Sequence, residues 1–331
     1  MAKINFGDTS KKNNGSTQNI SEQIVEDTSV TKDGQTRSSD TMANQPPQTI
    51  NANTSSGGIQ NQYNDPNKIN VTIANKDVPL VIFFGPAACG KTMTLVRLTR
   101  YLRNKSFKIS PVRSFRPADD QNYRDLCDNF DRMINQSDAS KSTALIEFML
   151  VEVLNNGKSL CQILEAPGEY YFDPLNPNPH NPFPNYVNTI INSTNRKIWC
   201  VFVEPDWKND PDRRNYASRI HQLKKRMRPK DKTIFVFNKI DKTDYVIAPG
   251  RVNVSQARKN VSDLYPDIFV PFRNMNPITR FFSEWRCDFV PFQTGDFTQS
   301  TTDLTYQQGP EEYPAILWNT ICKHIRGKQW T

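Results

Sequence analysis

The sequence predicts an α/β fold: a three-layer domain on a mostly parallel sheet with one antiparallel edge strand, behind a disordered polar N-terminal tail. Three observations predict it. Short apolar runs at Val78–Phe84, Ser159–Glu165, Lys197–Glu204, Thr233–Phe237 and Asp288–Phe292 recur between polar or helically spaced segments, the pattern of parallel strands covered on both faces. Asn155-Asn156-Gly157-Lys158 separates the runs Ala144–Leu154 and Ser159–Glu165 and reads as the turn of an antiparallel hairpin. Residues 1–76 are crowded with Ser, Thr, Asn, Gln and Asp and nearly lack long apolar runs, so they cannot bury enough surface to offset their ordering entropy.

These shifts divide the 331 residues into a tail, 1–76, and a domain, 77–331. Seven Lys or Arg and seven Asp or Glu cancel in the tail, which leaves the whole net charge of +8 on the domain. A basic domain suits polyanionic ligands. The six cysteines are scattered, with no CxxC pair and no Cys/His cluster at zinc spacing, which speaks for reduced thiols in a cytoplasmic protein. No apolar signal-peptide core follows Met1, and no uncharged apolar stretch reaches spanning length, so a transmembrane segment is not expected.

The first strand, Val78–Phe84, ends in a Gly-Pro turn, and Thr92–Leu102 beyond it places Met93, Leu95, Val96, Leu98 and Leu102 at helical spacing. Between them, Gly85-Pro86-Ala87-Ala88-Cys89-Gly90-Lys91-Thr92 matches GxxxxGK followed by Ser or Thr, the phosphate loop of the P-loop NTPase fold. Small residues let the main chain curl until successive N–H groups point inward, and the following helix adds the positive end of its dipole. Gly85, Ala88, Cys89, Gly90 and Met93 are therefore candidates to line a triphosphate. Lys91 is expected to reach the β- and γ-phosphates, and Thr92 to coordinate magnesium.

Phe107–Phe115 is a further strand candidate, and Asp119–Gln136 reads as an inserted helix with Leu126, Phe130 and Ile134 on one face. The hairpin follows. A proline-rich loop, Asp173–Pro184, precedes a short helix at Tyr186–Ile191. Lys197–Glu204 and Thr233–Phe237 are buried-strand candidates separated by a charged helix from Pro211 to Met227, and Asp288–Phe292 and a helix from Glu311 to Ile325 close the domain. Segments at about 105–142, 170–195 and 242–285 are read as insertions.

Asn238-Lys239-Ile240-Asp241 follows the run Thr233–Phe237, and here the chain resembles Ras-like P-loop GTPases, whose NKxD motif ends a late strand. The resemblance covers roughly residues 78–326 in motif order and is confined to the short motifs. It implies GTP or GDP and Mg²⁺ as cofactors. Asp241 would accept from the guanine ring N1–H and exocyclic amine, Lys239 would lay its stem along the base, and Asn238 would tie this loop to the phosphate loop. Phe292-Gln293-Thr294-Gly295 stands where the family carries a last base-contacting loop, which makes Gln293 and Thr294 candidates for the guanine oxygen.

Glu165-Ala166-Pro167-Gly168 occupies the place of the family's DxxG, whose acid holds the magnesium shell through water and whose glycine N–H senses the γ-phosphate. Two departures stand out: Glu165 replaces Asp, and Glu169 sits where Ras-type enzymes place a water-orienting Gln. Thr143, with Ser140 and Ser142 beside it, is the candidate switch threonine. The implied catalytic set is Lys91, Gly168 and Glu169, and the implied metal set is Thr92, Thr143 and Glu165. The ExPG form and the expanded segments are similar also to GTPases of bacterial multigene conflict systems.

Two functions of different class follow from the resemblance: a Mg-dependent GTPase switch addressed to a protein effector or regulator, and a GTP-binding interaction module with little or no hydrolysis. A third is an ATP-dependent protein in which NKID is coincidental. Arg113, Arg116 and His180 are candidates to replace the missing Gln or act as an internal arginine finger, against the ordinary fate of a solvated surface residue. Cys89 at a helix N-terminus has a setting that lowers a thiol pKa, against the simpler role of a small loop filler. The basic run His221–Lys232 could face anionic lipid or nucleic acid, but it lacks interleaved aromatics for base stacking. Nucleic acid is therefore not an expected partner, and a solvated helix end is the simpler reading.

Overall fold

A computed structural model describes residues 67–135, 148–168, 171–172, 178, 180–207, 210–299 and 304–326. All of them belong to one compact unit that runs from Ser56 to Thr331. Ser140, Ser142, Thr143 and Glu169, and the tail as far as residue 66, lie outside the described residues.

The elements in chain order are β1 (Leu80–Phe84), α1 (Lys91–Asn104), β2 (Lys108–Pro111), α2 (Gln121–Asn135), β3 (Met149–Asn155), β4 (Lys158–Glu165), α3 (Asn185–Asn192), β5 (Lys197–Val203) and α4 (Asp210–Arg226). Then come β6 (Lys232–Phe237), β7 (Val246–Ala248), β8 (Arg251–Val252), α5 (Val254–Leu264), α6 (Pro277–Phe282), β9 (Asp288–Pro291), β10 (Asp296–Gln299), β11 (Leu304–Gln307) and α7 (Glu312–Arg326). No helix among the described residues is long and apolar enough to cross a membrane.

Seven strands form the central sheet in the order β2-β3-β4-β1-β5-β6-β9. β4, β1, β5, β6 and β9 are parallel, whereas β3 runs against both β2 and β4. The antiparallel strand therefore lies one place in from the edge, because Lys108–Pro111 adds a strand outside it with Ile109 buried. The β3–β4 turn is built as its sequence requires: Asn156 at φ 49 and Gly157 at φ 73 are both left-handed, which matches the twist of the strands they join.

Every residue of β1 and β5 is buried, which is why both read as continuous apolar runs and not as alternating ones. α1 packs beside α7. α4 sends Tyr216 onto Phe84 and anchors it by a hydroxyl bond to the Phe202 carbonyl at 2.9 Å. Trp199 and Tyr171 complete that aromatic cluster around Phe84.

The start of the domain lies earlier than composition places it. Residues 67–76 pack on the fold: Ile69 and Ile73 are buried, Thr72 N–H donates to the Phe115 carbonyl at 2.8 Å, and Asn195 Nδ2 donates to the Asn75 carbonyl at 2.8 Å. Ile69, Val71 and Ile73 alternate with polar residues, and three apolar positions are too few to stand out against the tail before them. The insertion at 242–285 holds the β7–β8 ribbon, α5 and α6, and β10 and β11 pair separately between β9 and α7.

Candidate functional site

Because β4, β1, β5, β6 and β9 point the same way, the loops leaving their carboxyl ends gather at one end of the sheet. The chain passes to β4 on one side of β1 and to β5 on the other, which makes β1 a topological switch point, the place where open α/β sheets hold ligands. Each motif picked out by sequence sits at one of these strand ends.

The phosphate loop after β1 is bent by two left-handed residues, Ala88 at φ 59 and Gly90 at φ 87. Gly90 is also the N-cap of α1, and that helix start has no side-chain cap and no acid in its first turn. The positive end of the helix dipole is thus left to an external anion. Glycine is required at position 90: a Cβ would fall 2.2 Å from Asn238 Nδ2. Lys91 is buried, and its ammonium donates to the Pro86 carbonyl at 2.8 Å, so it folds back over the loop. Cys89 is buried as well, and desolvation pushes its thiol up to about 11 despite the neighbouring Lys91 charge. It is a packed filler of the loop, the simpler of the two readings of the sequence, and burial removes the setting of an activated thiol.

Thr92 Oγ1 donates to Glu165 Oε1 at 2.9 Å, which joins the start of α1 to the end of β4. Glu165 is buried. Two hard oxygen donors at this separation fit a magnesium ion, and the extra methylene of Glu relative to Asp does not keep the carboxylate from Thr92. Beyond β4, Gly168 closes on the phosphate loop: a Cβ there would stand 2.1 Å from both the Ala87 nitrogen and the Pro86 carbonyl carbon.

The loop after β6 is spliced to the glycine-rich loop after β1. Asn238 Nδ2 donates to the Cys89 carbonyl at 2.8 Å, and Asn238 N–H donates to the Val203 carbonyl at 2.9 Å. Ile240 N–H reaches the Phe292 carbonyl at 3.1 Å, and Phe292 N–H the Phe237 carbonyl at 2.8 Å, so the loops after β6 and β9 form one unit. Gln293 and Thr294 are buried in it. Asp241 is exposed in the 3₁₀ turn Ile240–Lys242, near enough to Tyr313 for its charge to raise that phenol, after burial, above its ordinary pKa.

Lys239 adopts a left-handed conformation, φ 55, uncommon for a side chain with a Cβ. Its ammonium pairs with Glu204, the residue after β5, and with Asp206 at 3.3 Å; Lys242 joins Asp206 at 2.7 Å. Burial works against the Lys239 charge, but the hydrogen bond and charge of Glu204, and then Asp206, hold its pKa above the ordinary value.

Glu204, Asp206 and Arg97 escape sequence reasoning. Arg97 is fully buried in α1, donates to the Gln293 carbonyl and, at 2.5 Å, to the Pro310 carbonyl, and lies 5.7 Å from the Phe292 ring and 5.9 Å from the Tyr313 ring. The one available signal is a charge inside the apolar stretch Leu95–Leu98. Conversely, three candidates are engaged away from the phosphate loop. Arg113 pairs with Asp128, Arg116 pairs with Asp120 at 2.5 Å over the rings of Tyr123 and Phe148, and His180 Nδ1 meets Gln222 Nε2 at 3.1 Å. The basic run is partly tied down locally, with His221 on the Asp267 carbonyl, Arg226 on Asn188 and Arg228 on the Asn192 carbonyl.

Sheet order and the glycine-rich loop after β1 define the class: this is a three-layer α/β fold of the P-loop NTPase kind. No family model and no curated protein matches the chain. Among solved structures, it is similar to nucleolar GTP-binding protein 1 of Plasmodium falciparum, 12% identical over 77% of this chain and 90% of that chain, TM-score 0.37. A structure concerning the GTPase activity of the chloroplast translocon components atToc33 and psToc159 is 12% identical over 76% of this chain and 85% of that one, TM-score 0.40. The GTPase-like domain of S. cerevisiae Ski7, bound to GDP and inorganic phosphate, is 13% identical over 77% of this chain and 51% of that one, TM-score 0.38.

Proposed function

We propose that the chain is a GTP-binding protein that hydrolyses GTP with Mg²⁺ and works as a nucleotide-controlled switch toward a protein effector or regulator. The observation that carries the reading is the Asn238–Cys89 bond, which holds the NKID loop and the phosphate loop in one fixed relation. A ligand with a polyphosphate at one end and a purine at the other spans that relation.

In this reading the backbone of Gly85–Gly90 and the Lys91 ammonium hold the phosphates, and Asp241 accepts from the guanine N1–H and exocyclic amine. Gln293 and Thr294 offer backbone donors to the guanine oxygen. Thr92 and Glu165 would hold Mg²⁺, which supplies charge neutralisation at the phosphate oxygens when bound. Gly168 stands against Pro86 and Ala87, and in this reading its N–H would sense the terminal phosphate.

Competition of GTP, GDP and ATP against a fluorescent guanine nucleotide in the presence of magnesium tests the base assignment. GTP and GDP are expected to displace the probe and ATP to leave it bound; equal displacement by ATP defeats the reading. In Asp241→Asn the preference is expected to move toward xanthine nucleotides, which present an acceptor where guanine presents its amine.

A second reading, a GTP-binding module with little or no hydrolysis, draws on the engagement of Arg113, Arg116 and His180 elsewhere in the fold. Single-turnover phosphate release separates the two. Release no faster than the uncatalysed background, with or without cell extract, leaves binding alone.

A further inference from the structure

Four of the seven large apolar side chains that the described residues expose fall between positions 270 and 281, far more than an even spread would place there. Met275 is 81% exposed, Ile278 74%, Phe281 88% and Val270 55%. Ile278 and Phe281 are three apart and share one side of the short helix α6, and Met275 stands two positions ahead of it.

The segment that carries them is a built projection. Asn274 is buried at its neck, donates from its N–H to the Glu284 carbonyl at 2.8 Å and from Nδ2 to the Ser283 carbonyl at 3.1 Å, and accepts from Arg286 Nε at 3.2 Å. Arg286 N–H closes the neck on the Phe272 carbonyl at 2.7 Å. Beneath it, Phe272 and Phe269 stand edge-on to Phe235 of β6, and Trp285 packs on Phe269. The apolar tip is thus presented on a fixed aromatic base.

Its surroundings are basic. Between residues 266 and 287, Arg273 pairs with Glu284 at 3.9 Å, which leaves Arg280 and Arg286 against Asp267, and Lys224 of α4 places its ammonium 5.2 Å from the Phe272 ring at the base. Three exposed apolar side chains on a short segment offer well under the ~800 Å² per partner of a stable protein interface. An apolar tip with Arg280 on it and Arg286 and Lys224 at its base fits the interfacial zone of a bilayer, where a few apolar groups enter the acyl boundary and basic side chains meet acidic headgroups.

We propose that the tip at residues 275–281 docks this protein on an anionic lipid surface, independently of any nucleotide. The test is flotation of the full chain with phosphatidylcholine vesicles, with and without phosphatidylserine. Co-flotation is expected with the phosphatidylserine vesicles and at least tenfold less with phosphatidylcholine alone or in high salt. Ile278→Asp and Met275→Asp are each expected to cut the bound fraction about tenfold with an unchanged unfolding temperature, Ile278→Ser to show a smaller loss, and Arg280→Glu to flatten the salt dependence. Failure of the wild type to float with either vesicle overturns the proposal, as does undiminished flotation of Ile278→Asp. Lipid-free self-association that Ile278→Asp abolishes overturns it in favour of a second copy of the chain.

Discussion

Gly168 and Pro86 meet with no space between them: a methyl group on Gly168 would stand 2.1 Å from the Pro86 carbonyl carbon. The segment after β4 and the phosphate loop are therefore in direct main-chain contact, and any side chain added at position 168 displaces one against the other.

Gly168→Ala is expected to force the phosphate loop open, since the atoms in its way are backbone and cannot rotate aside. Guanine nucleotide affinity should fall by more than tenfold, about 1.4 kcal/mol, by titration calorimetry. An unchanged affinity would mean that the two segments separate when the ligand enters.

Arg97→Lys removes the fork that serves the Gln293 and Pro310 carbonyls together, because an ammonium cannot reproduce its two parallel donors. A loss of about 1–3 kcal/mol in urea unfolding is expected, with weaker guanine nucleotide binding through the displaced Gln293–Thr294 loop. A variant that loses stability and keeps its guanine affinity would confine Arg97 to packing.

Asp288 clamps β9 to α7 through His324 at 2.5 Å and Lys323 at 2.9 Å. Burial alone would raise its carboxyl, but the hydrogen bonds and charges of those two partners hold it at about 2 against an ordinary 3.8. A carboxylate whose pKa is lower in the folded state stabilises above the unfolded value and loses that contribution as pH falls through the folded one. With Lys323 half exposed the clamp is worth about 1–2 kcal/mol after screening. Asp288→Asn is expected to be less stable than the wild type by that amount at neutral pH, and the difference should close between pH 3.8 and about 2.

Cys89 is expected to resist iodoacetamide at pH 8 in the folded protein and to react once the chain is denatured, since its buried thiol lies near 11. Peptide mapping by mass spectrometry reads this directly. Rapid native alkylation would mean that the phosphate loop opens in solution.

The parts of the fold that the sequence announces are those where local chemistry and tertiary role coincide. Fully buried parallel strands must be apolar throughout, so β1, β5 and β6 are visible as runs, and a two-residue hairpin turn needs left-handed residues, so Asn156-Gly157 is visible as a turn. The phosphate loop, Asn238 and the Glu165–Thr92 pairing are legible because each needs a particular residue at a particular strand end. What stays hidden depends on distant partners. Ile69 and Ile73 gain their place only from the surface that receives them, and Arg97 looks like a solvent-facing helix residue until the Gln293 loop closes over it. Glu204 is one acid after a strand, and only the left-handed turn at Lys239 brings an ammonium to it.

The bond from Asn238 to Cys89 bridges 149 positions of chain. If the loop after β6 recognises a purine as proposed, a nascent chain halted ahead of β6 carries the glycine-rich turn without the segment that would tell one nucleotide from another. In that reading selective capture of the ligand waits until β6 and the loop behind it have been made, and the glycine-rich turn alone would serve any nucleotide alike.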